Sequence, residues 1–515
     1  MLPQRLALLF TLLVSLIGCT KSDDAAQQSP DLIVNAAGEQ LRGEALTSNV
    51  IVFRGVPYAL APVGPRRWTP PQPPSPRRGV QDAIAFGPAC PQDQGNPNWY
   101  RDVAKHFGAD QSVIPMLREI SEDCLFLNIW TANLNGEPPK PVMVWIHGGS
   151  NVNGYAHEPN YLGHRLAESG VVLVSINYRL GPLGFLAHPG LSAEDANGVS
   201  GFYGLADQIA SLKWIKTNIA SFGGDPENIT VFGESAGGGN ISALTRMPTA
   251  KGLFDKAIIQ SGALSPHDAI NEDEALAYGM DFSAGLGADT VDAMRAIPWE
   301  ELVRIRSERF NDYYFYPVTD GHYLPSDAPI EKVKLLIGAN QDEWLMYLPD
   351  DASSTYTGAL SDYFGSAAEE MARYLEPTFD TDARRANYLI SAAEFFCPSL
   401  DLANKFVAEG NPTYVYYFTR VRPNGEDILA YHGAEIPYVF DTADDWLPAD
   451  DIDPRLTEAM VRYWTNFARI GDPNGAGLPY WAQYNAEEGA IMELGDDIGP
   501  AANAPKTICA ALRNN

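Results

Sequence analysis

The chain is expected to fold as an α/β protein, with a large, mostly parallel central sheet flanked by helices. Three observations predict this. Short, uninterrupted apolar runs of β-forming residues recur along the chain. Runs apolar at every position suit strands buried on both faces, as in a parallel sheet. Between them lie segments whose apolar residues return at the helical period, and strand–helix alternation argues for helical crossovers. A serine flanked by glycines stands where one such strand meets one such helix.

From the N-terminus, Arg5 precedes an apolar run from Leu6 to Ile17. Crossing a bilayer takes about 20 apolar residues, so this run suits a signal-peptide core instead. It ends in Leu16-Ile17-Gly18-Cys19, which resembles a bacterial lipobox. On that reading residues 1–18 are a lipoprotein signal and Cys19 is the lipid anchor; the alternative is an ordinary signal peptide cut nearby. Residues 19–30 are polar and aperiodic, as a tether would be. Residues 31–515 form the remaining domain. No other run is long enough to span a membrane, so the protein is expected in the bacterial cell envelope, anchored only through Cys19, or secreted.

Residues 31–100 are rich in Pro and Gly, as in Pro70-Pro71-Gln72-Pro73-Pro74, and are expected to wrap the surface after a small antiparallel sheet. Strands follow at 142–146, 171–176, 229–232, 256–259, 333–337 and 413–418. Tyr203 to Ala220 reads as a helix, with Leu205, Ile209, Leu212, Trp214, Ile215 and Ile219 close to a 3.6-residue period. The stretches 265–312 and 350–405 look helical and strand-poor. They are expected to be insertions over one end of the sheet.

Lys and Arg total 36 against 65 Asp and Glu, a net charge of −29. Such a field repels phosphate backbones and argues against a nucleic-acid partner. Hydrophobic residues make up 45%, enough for a large core and too many for a disordered acidic chain. Five cysteines are too few for a disulfide scaffold. With Cys19 set aside, Cys90, Cys124, Cys397 and Cys509 remain; export would let them pair, in any of three ways, or they are four buried thiols.

Gly233-Glu234-Ser235-Ala236-Gly237 sits between the run 229–232 and a helical stretch from Gly238 to Met247. This is G-x-S-x-G in strand–turn–helix context, which lifts a nucleophilic serine above the sheet with helix N–H groups behind it. A serine needs a base, and the base an orienting acid; in this arrangement they follow in the order serine, acid, histidine. Only His267, His322 and His432 lie beyond Ser235. Asp342 and Glu343 follow the strand 333–337, which leaves His432 as the base. The rival pair, Asp320 with His322, is too close in sequence to align. His106, His157, His164, His188 and His267 are read as structural. His147-Gly148-Gly149 after the strand 142–146 resembles an oxyanion loop of the HGGG type, with Ser150 in place of the third glycine. Its donors would be Gly148, Gly149 and Ala236.

These residues resemble the type-B carboxylesterases, the α/β-hydrolase family that includes cholinesterases and bacterial para-nitrobenzyl esterases. The stretch Phe222 to Gly237 is similar to the family's serine signature, and Glu122 to Ile129 to its second signature. Phe53 to Ala59, Asn177 to Gly181 and Gln260-Ser261-Gly262 match as well. The resemblance implies an α/β-hydrolase fold with helical insertions over the active site. It also implies serine carboxylester hydrolysis on a small-molecule ester, with Glu343 rather than Asp342 as the acid. Disulfides Cys90–Cys124 and Cys397–Cys509 follow from it, as do an ion pair of Glu122 with Arg67 or a nearby arginine and support of the His–Glu pair by Ser261. Glu234 and Glu435 would lie close together behind the site. No metal or organic cofactor is implied. Trp99, between Cys90 and Cys124, is either a platform for a cationic alcohol or a packing aromatic. Tyr313 to Tyr316 would line the pocket or pack before the turn at Asp320-Gly321. The other functions weighed are a lipase, a hydrolase of xenobiotic, toxin or choline esters, and a non-catalytic binding protein.

Overall fold

The computed structural model describes residues 32–513 except 48, 135–137, 265–269, 327 and 350. The expected signal segment, Cys19, the tether and His267 lie outside the described residues.

Eleven strands form one sheet. In chain order they are β1 (Glu44–Ala45), β2 (Ile51–Pro57), β3 (Phe126–Thr131), β4 (Lys140–Ile146), β5 (Val172–Ile176), β6 (Gly224–Glu234), β7 (Lys256–Gln260), β8 (Lys334–Asn340), β9 (Thr413–Phe418), β10 (Met492–Leu494) and β11 (Ile498–Pro500). The spatial order is β11-β10-β9-β8-β7-β6-β4-β5-β3-β2-β1. From β10 to β5 all neighbours are parallel. β11 at one edge and β3, β2 and β1 at the other run antiparallel, so the sheet is mixed at its margins. A separate three-stranded sheet joins Ile33–Ala36, Glu39–Arg42 and Val80–Asp82. Its first pair is antiparallel as expected; the second is parallel.

The uninterrupted apolar runs are explained by burial on both faces. Along β4, Val142, Val144 and Ile146 enter one core while Met143 and Trp145 enter the other. The same alternation holds for Val172, Val174 and Ile176 against Leu173, and for Leu335 and Ile337 against Leu336. Every residue of β5 is buried, which leaves no position for a polar face.

Three helices matter most to the site: α1 (Gly95–His106), α2 (Tyr203–Asn218) and α3 (Ala236–Leu244). α2 lies close to the predicted span, while α3 starts directly after Ser235. The two insertions are helical, spanning Glu272–Gly285, Val291–Ala296 and Trp299–Arg309, then Ser353–Phe364, Ala368–Leu375, Asp382–Ser391 and Cys397–Ala408. Both expected disulfides are present, Cys90–Cys124 and Cys397–Cys509, closing separations of 34 and 112 residues. Arg67 holds Glu122 through two parallel bonds of 2.7 and 2.6 Å, a geometry matched to a planar guanidinium. Among the described residues no helix is long and apolar enough to cross a membrane.

Candidate active site

Ser235 stands between the end of β6 and the start of α3 with φ +55° and ψ −127°, a conformation costly for a residue with a side chain. The chain tolerates it because its neighbours are stripped bare. A Cβ on Gly237 would come within 2.0 Å of the Ile146 carbonyl oxygen, and one on Gly233 within 2.5 Å of the same atom. Glycine at both places lets the turn close against the end of β4. Ser235 lines a cavity of about 670 Å³, together with Ala236 and His432.

His432 is brought in by the loop after β9. Its Nδ1 lies 2.6 Å from Glu343 Oε2, and Glu343 is fully buried just beyond β8. The other Glu343 oxygen accepts the Asn340 backbone N–H at 2.6 Å. Both carboxylate oxygens are thus engaged and the imidazole orientation is set. Asp342 points elsewhere. Its carboxylate accepts the Asn387 side-chain amide at 2.7 Å, and its N–H donates to the Ala430 carbonyl. Burial pushes its pKa up to about 6 against those hydrogen bonds. Asp320 is also spoken for: one of its oxygens accepts the N–H groups of His322, Tyr323 and Leu324. The Asp320–His322 pair is therefore a capped turn.

On the other edge of the imidazole, Nε2 lies 3.1 Å from Glu234 Oε1, a close approach without hydrogen-bond alignment. Burial pushes Glu234 up to about 8 even though His432 opposes the shift; Glu435 and Glu343 add to it. Glu435 is fully buried and also raised, first by burial and then by Glu343, while Gln260 and Asn340 donate to its two oxygens at 2.9 and 2.7 Å. His432 moves the opposite way from a plain buried imidazole. Burial alone would lower it, but the Glu234 charge and the Glu343 hydrogen bond prevail and raise it.

Of the expected oxyanion residues, Gly149 and Ala236 line the cavity. Gly148 does not; a Cβ there would sit 2.8 Å from the Glu234 carbonyl and 3.0 Å from Ser235 Cβ. It packs behind the serine, and Ser150 takes the next place on the cavity wall. His147 braces this loop: its Nδ1 donates to the Gly148 carbonyl at 2.9 Å, its ring stacks on Tyr178, and burial drives its pKa down to about 4. Ser261 lines the cavity, and its buried Oγ makes no hydrogen bond to Glu343 or His432.

Residues 30–508 match the Carboxylesterase family. The chain belongs to that family. It is 34% identical to the fumonisin B1 esterase of Sphingopyxis macrogoltabida, over 94% of this chain and 90% of that protein. It is also 34% identical to the phenmedipham hydrolase of Pseudarthrobacter oxydans, over 88% and 93%. Among solved structures, a Geobacillus stearothermophilus carboxylesterase superimposes with a TM-score of 0.80 at 33% identity, covering 93% of this chain and all of that one. A PNB esterase reaches 0.79 at 31% identity, covering 94% and 99%. The chain is a carboxylic ester hydrolase.

The cavity of this carboxylesterase is aromatic and acidic. Tyr314, Phe315 and Tyr316 form part of its wall, while Tyr313, the first of the aromatic run, stacks on Tyr278 instead. Trp99, on α1, lies against the histidine loop: its ring stands 3.5 Å from where a Gly433 Cβ would be, and its indole N–H donates to Tyr347 Oη at 2.8 Å. Glu158, Glu234, Glu394 and Asp444 line the cavity, and no Lys or Arg does among the described residues.

Glu158 was not singled out from the sequence. It is buried, its oxygens accept Asn96 Nδ2 at 2.5 Å, Tyr100 Oη at 2.9 Å and the Tyr155 N–H at 3.0 Å, and burial pushes it up to about 7. Its one sequence signal is isolation: no other Asp, Glu, Lys or Arg occurs between Lys140 and Arg165. Asn151 gave no signal at all.

Proposed function

We propose that this carboxylesterase works through an acyl-enzyme on Ser235, with His432 as base and Glu343 as orienting acid. The observation that carries the reading is the 2.6 Å contact from the buried Glu343 Oε2 to Nδ1 of His432, which lines the same cavity as Ser235. His432 Nε2 takes the serine proton as Oγ attacks the ester carbonyl. Glu343 holds the tautomer and stabilises the imidazolium. The oxyanion rests on the N–H groups of Gly149 and Ala236, with Ser150 rather than Gly148 as third donor, because Ser150 faces the cavity. His432 returns the proton to the leaving alcohol, then activates the water that frees the acid. Ser235→Ala should abolish turnover of a para-nitrophenyl short-chain ester and organophosphate labelling; retained turnover would sink the assignment.

The natural substrate is a bulky ester, in keeping with a cavity of about 670 Å³ and with relatives named for fumonisin B1 and phenmedipham. A second reading, hydrolysis of esters of cationic alcohols, is favoured by Trp99 beside the histidine loop in a cavity lined by carboxylates. A panel of matched neutral and cationic alcohol esters separates the two, with Trp99→Ala expected to erase any cationic preference. A lipase would prefer long-chain triglyceride at an interface over tributyrin. The chain is laid out as a lipoprotein signal at 1–18, a tether at 19–30 beginning with lipidated Cys19, and the catalytic domain at 31–515. The two disulfides support an oxidising compartment.

A further inference from the structure

We propose that Asn151 is a positioning residue that locks the oxyanion loop to the aromatic wall at residues 314–316, so that one side chain sets both the loop and the shape of the cavity beside it. The proposal rests on the serine-esterase reading above.

Asn151 directly follows Ser150 on the loop and is buried, 1% exposed. Both residues have φ near +57°, the left-handed region, where asparagine is tolerated better than most residues. The side chain is hydrogen-bonded at both ends. Its Nδ2 donates to the Phe315 carbonyl at 2.7 Å. Its Oδ1 accepts Asn240 Nδ2 at 2.8 Å, and Tyr178 Oη lies 3.3 Å from the same oxygen. Tyr178 Oη also reaches the His147 carbonyl at 2.8 Å, and the Asn151 carbonyl accepts the Gly181 N–H at 2.6 Å. Because a carbonyl only accepts, the Phe315 contact fixes which end of the amide faces the wall.

Three parts of the site therefore meet at one amide. Asn240 belongs to α3, whose first residue Ala236 follows the nucleophile. His147 and Ser150 bracket the oxyanion loop. Phe315 is 1% exposed and lines the cavity together with Tyr314 and Tyr316 on either side, whose rings stack with centroids 5.8 Å apart. A smooth apolar contact would let these parts slide. A buried amide hydrogen-bonded at both ends does not, since any shift leaves a polar group unpaired. Tilting the loop therefore moves the wall. Acyl or alcohol selectivity and oxyanion stabilisation should then change together.

Two variants test this, each checked for cooperative thermal unfolding and normalised to active sites counted by organophosphate labelling. Asn151→Gly keeps the left-handed backbone and removes every side-chain bond. Asn240→Ala removes only the brace from α3. For Asn151→Gly, kcat on para-nitrophenyl acetate should fall about 10-fold or more, since a misplaced donor costs on the order of 10²–10³. The ratio of kcat/KM for hexanoate to that for acetate should change at least about 3-fold, and a trifluoromethyl ketone should bind more weakly in step with kcat/KM. Asn240→Ala should move all three the same way by less. A folded, fully labelled Asn151→Gly with unchanged kcat and unchanged ratio overturns the proposal; a fall in kcat at constant ratio overturns the coupling. If Asn151→Gly fails to fold, the same readouts on Asn240→Ala decide. Failure of the underlying reading looks different: Ser235→Ala would remain active.

Discussion

Glu234 Oε1 and His432 Nε2 face each other at 3.1 Å, while the opposite edge of the same ring is held at 2.6 Å by Glu343. The imidazole is thus clamped between two carboxylates of different standing. Glu343 is engaged on both oxygens, whereas Glu234 carries a pKa pushed up to about 8, mainly by burial. Glu234 and His432 share protons as a pair, and its charge helps to hold His432 above the ordinary imidazole range.

Glu234→Gln removes that charge and keeps the shape. The base then loses a proton more easily, so the acid limb of the kcat/KM profile should move to lower pH, by about one unit for a charge this close. A limb that stays in place would mean the contact does not govern the base. The measurement is kcat/KM on a neutral ester from pH 5 to 9.

Glu343 and Asp342 are adjacent acids that the structure separates. Glu343→Gln should lower kcat by roughly 10²–10⁴, because the amide no longer stabilises the imidazolium or enforces its tautomer. Asp342→Asn should stay within about 10-fold of the parent, since its partners are Asn387 and the Ala430 backbone. Single-turnover rates on both variants check this; the reverse ranking would exchange their roles.

The strands were legible because β4, β5 and β8 are buried on both faces, which fills them mostly with apolar residues; Ser175 in β5 is buried with Asn128 as its hydrogen-bond partner. The catalytic candidates were legible because chain order leaves His432 alone once the acid lies beyond β8. Asn151 and Glu158 were not legible: each earns its place by pairing with groups such as Phe315, Asn240 or Tyr100, which only the tertiary fold brings close. That Gly148 stays off the cavity wall was illegible for a similar reason. Paired glycines mark a loop with open N–H groups, but the approach of Glu234 and Ser235 decides which of them faces the cavity.

The two disulfides should separate stability from selectivity. Cys397 opens one helix and Cys509 lies in the C-terminal Lys506–Leu512, both buried. Replacing both by Ala should cost about 3–5 kcal/mol in the chain-entropy view of so long a loop. It should lower Tm while leaving kcat at 25 °C nearly unchanged. Cys90–Cys124 instead closes the segment that carries α1 and Trp99. Its removal should also raise KM for bulky esters, and an unchanged KM would show that α1 is held without it.

Glu158 offers a test of stability against pH. Burial pushes its carboxyl up to about 7 in the folded chain from the ordinary value of 4.5, because it penalises the charge more than the hydrogen bonds repay. Below pH 4.5 both states hold the proton and the group contributes no difference. Between 4.5 and 7 the folded chain keeps a proton that the unfolded chain has lost, so stability falls as pH rises; above 7 the full penalty remains. A shift of that size corresponds to roughly 3 kcal/mol. Glu158→Gln does not titrate and keeps an oxygen for the Tyr155 N–H. Thermal unfolding of both proteins from pH 4 to 8 should show the variant gaining on the parent through that window, then running level. A gap independent of pH would mean that Asn96, Tyr100 and Tyr155 hold the carboxylate ionised throughout.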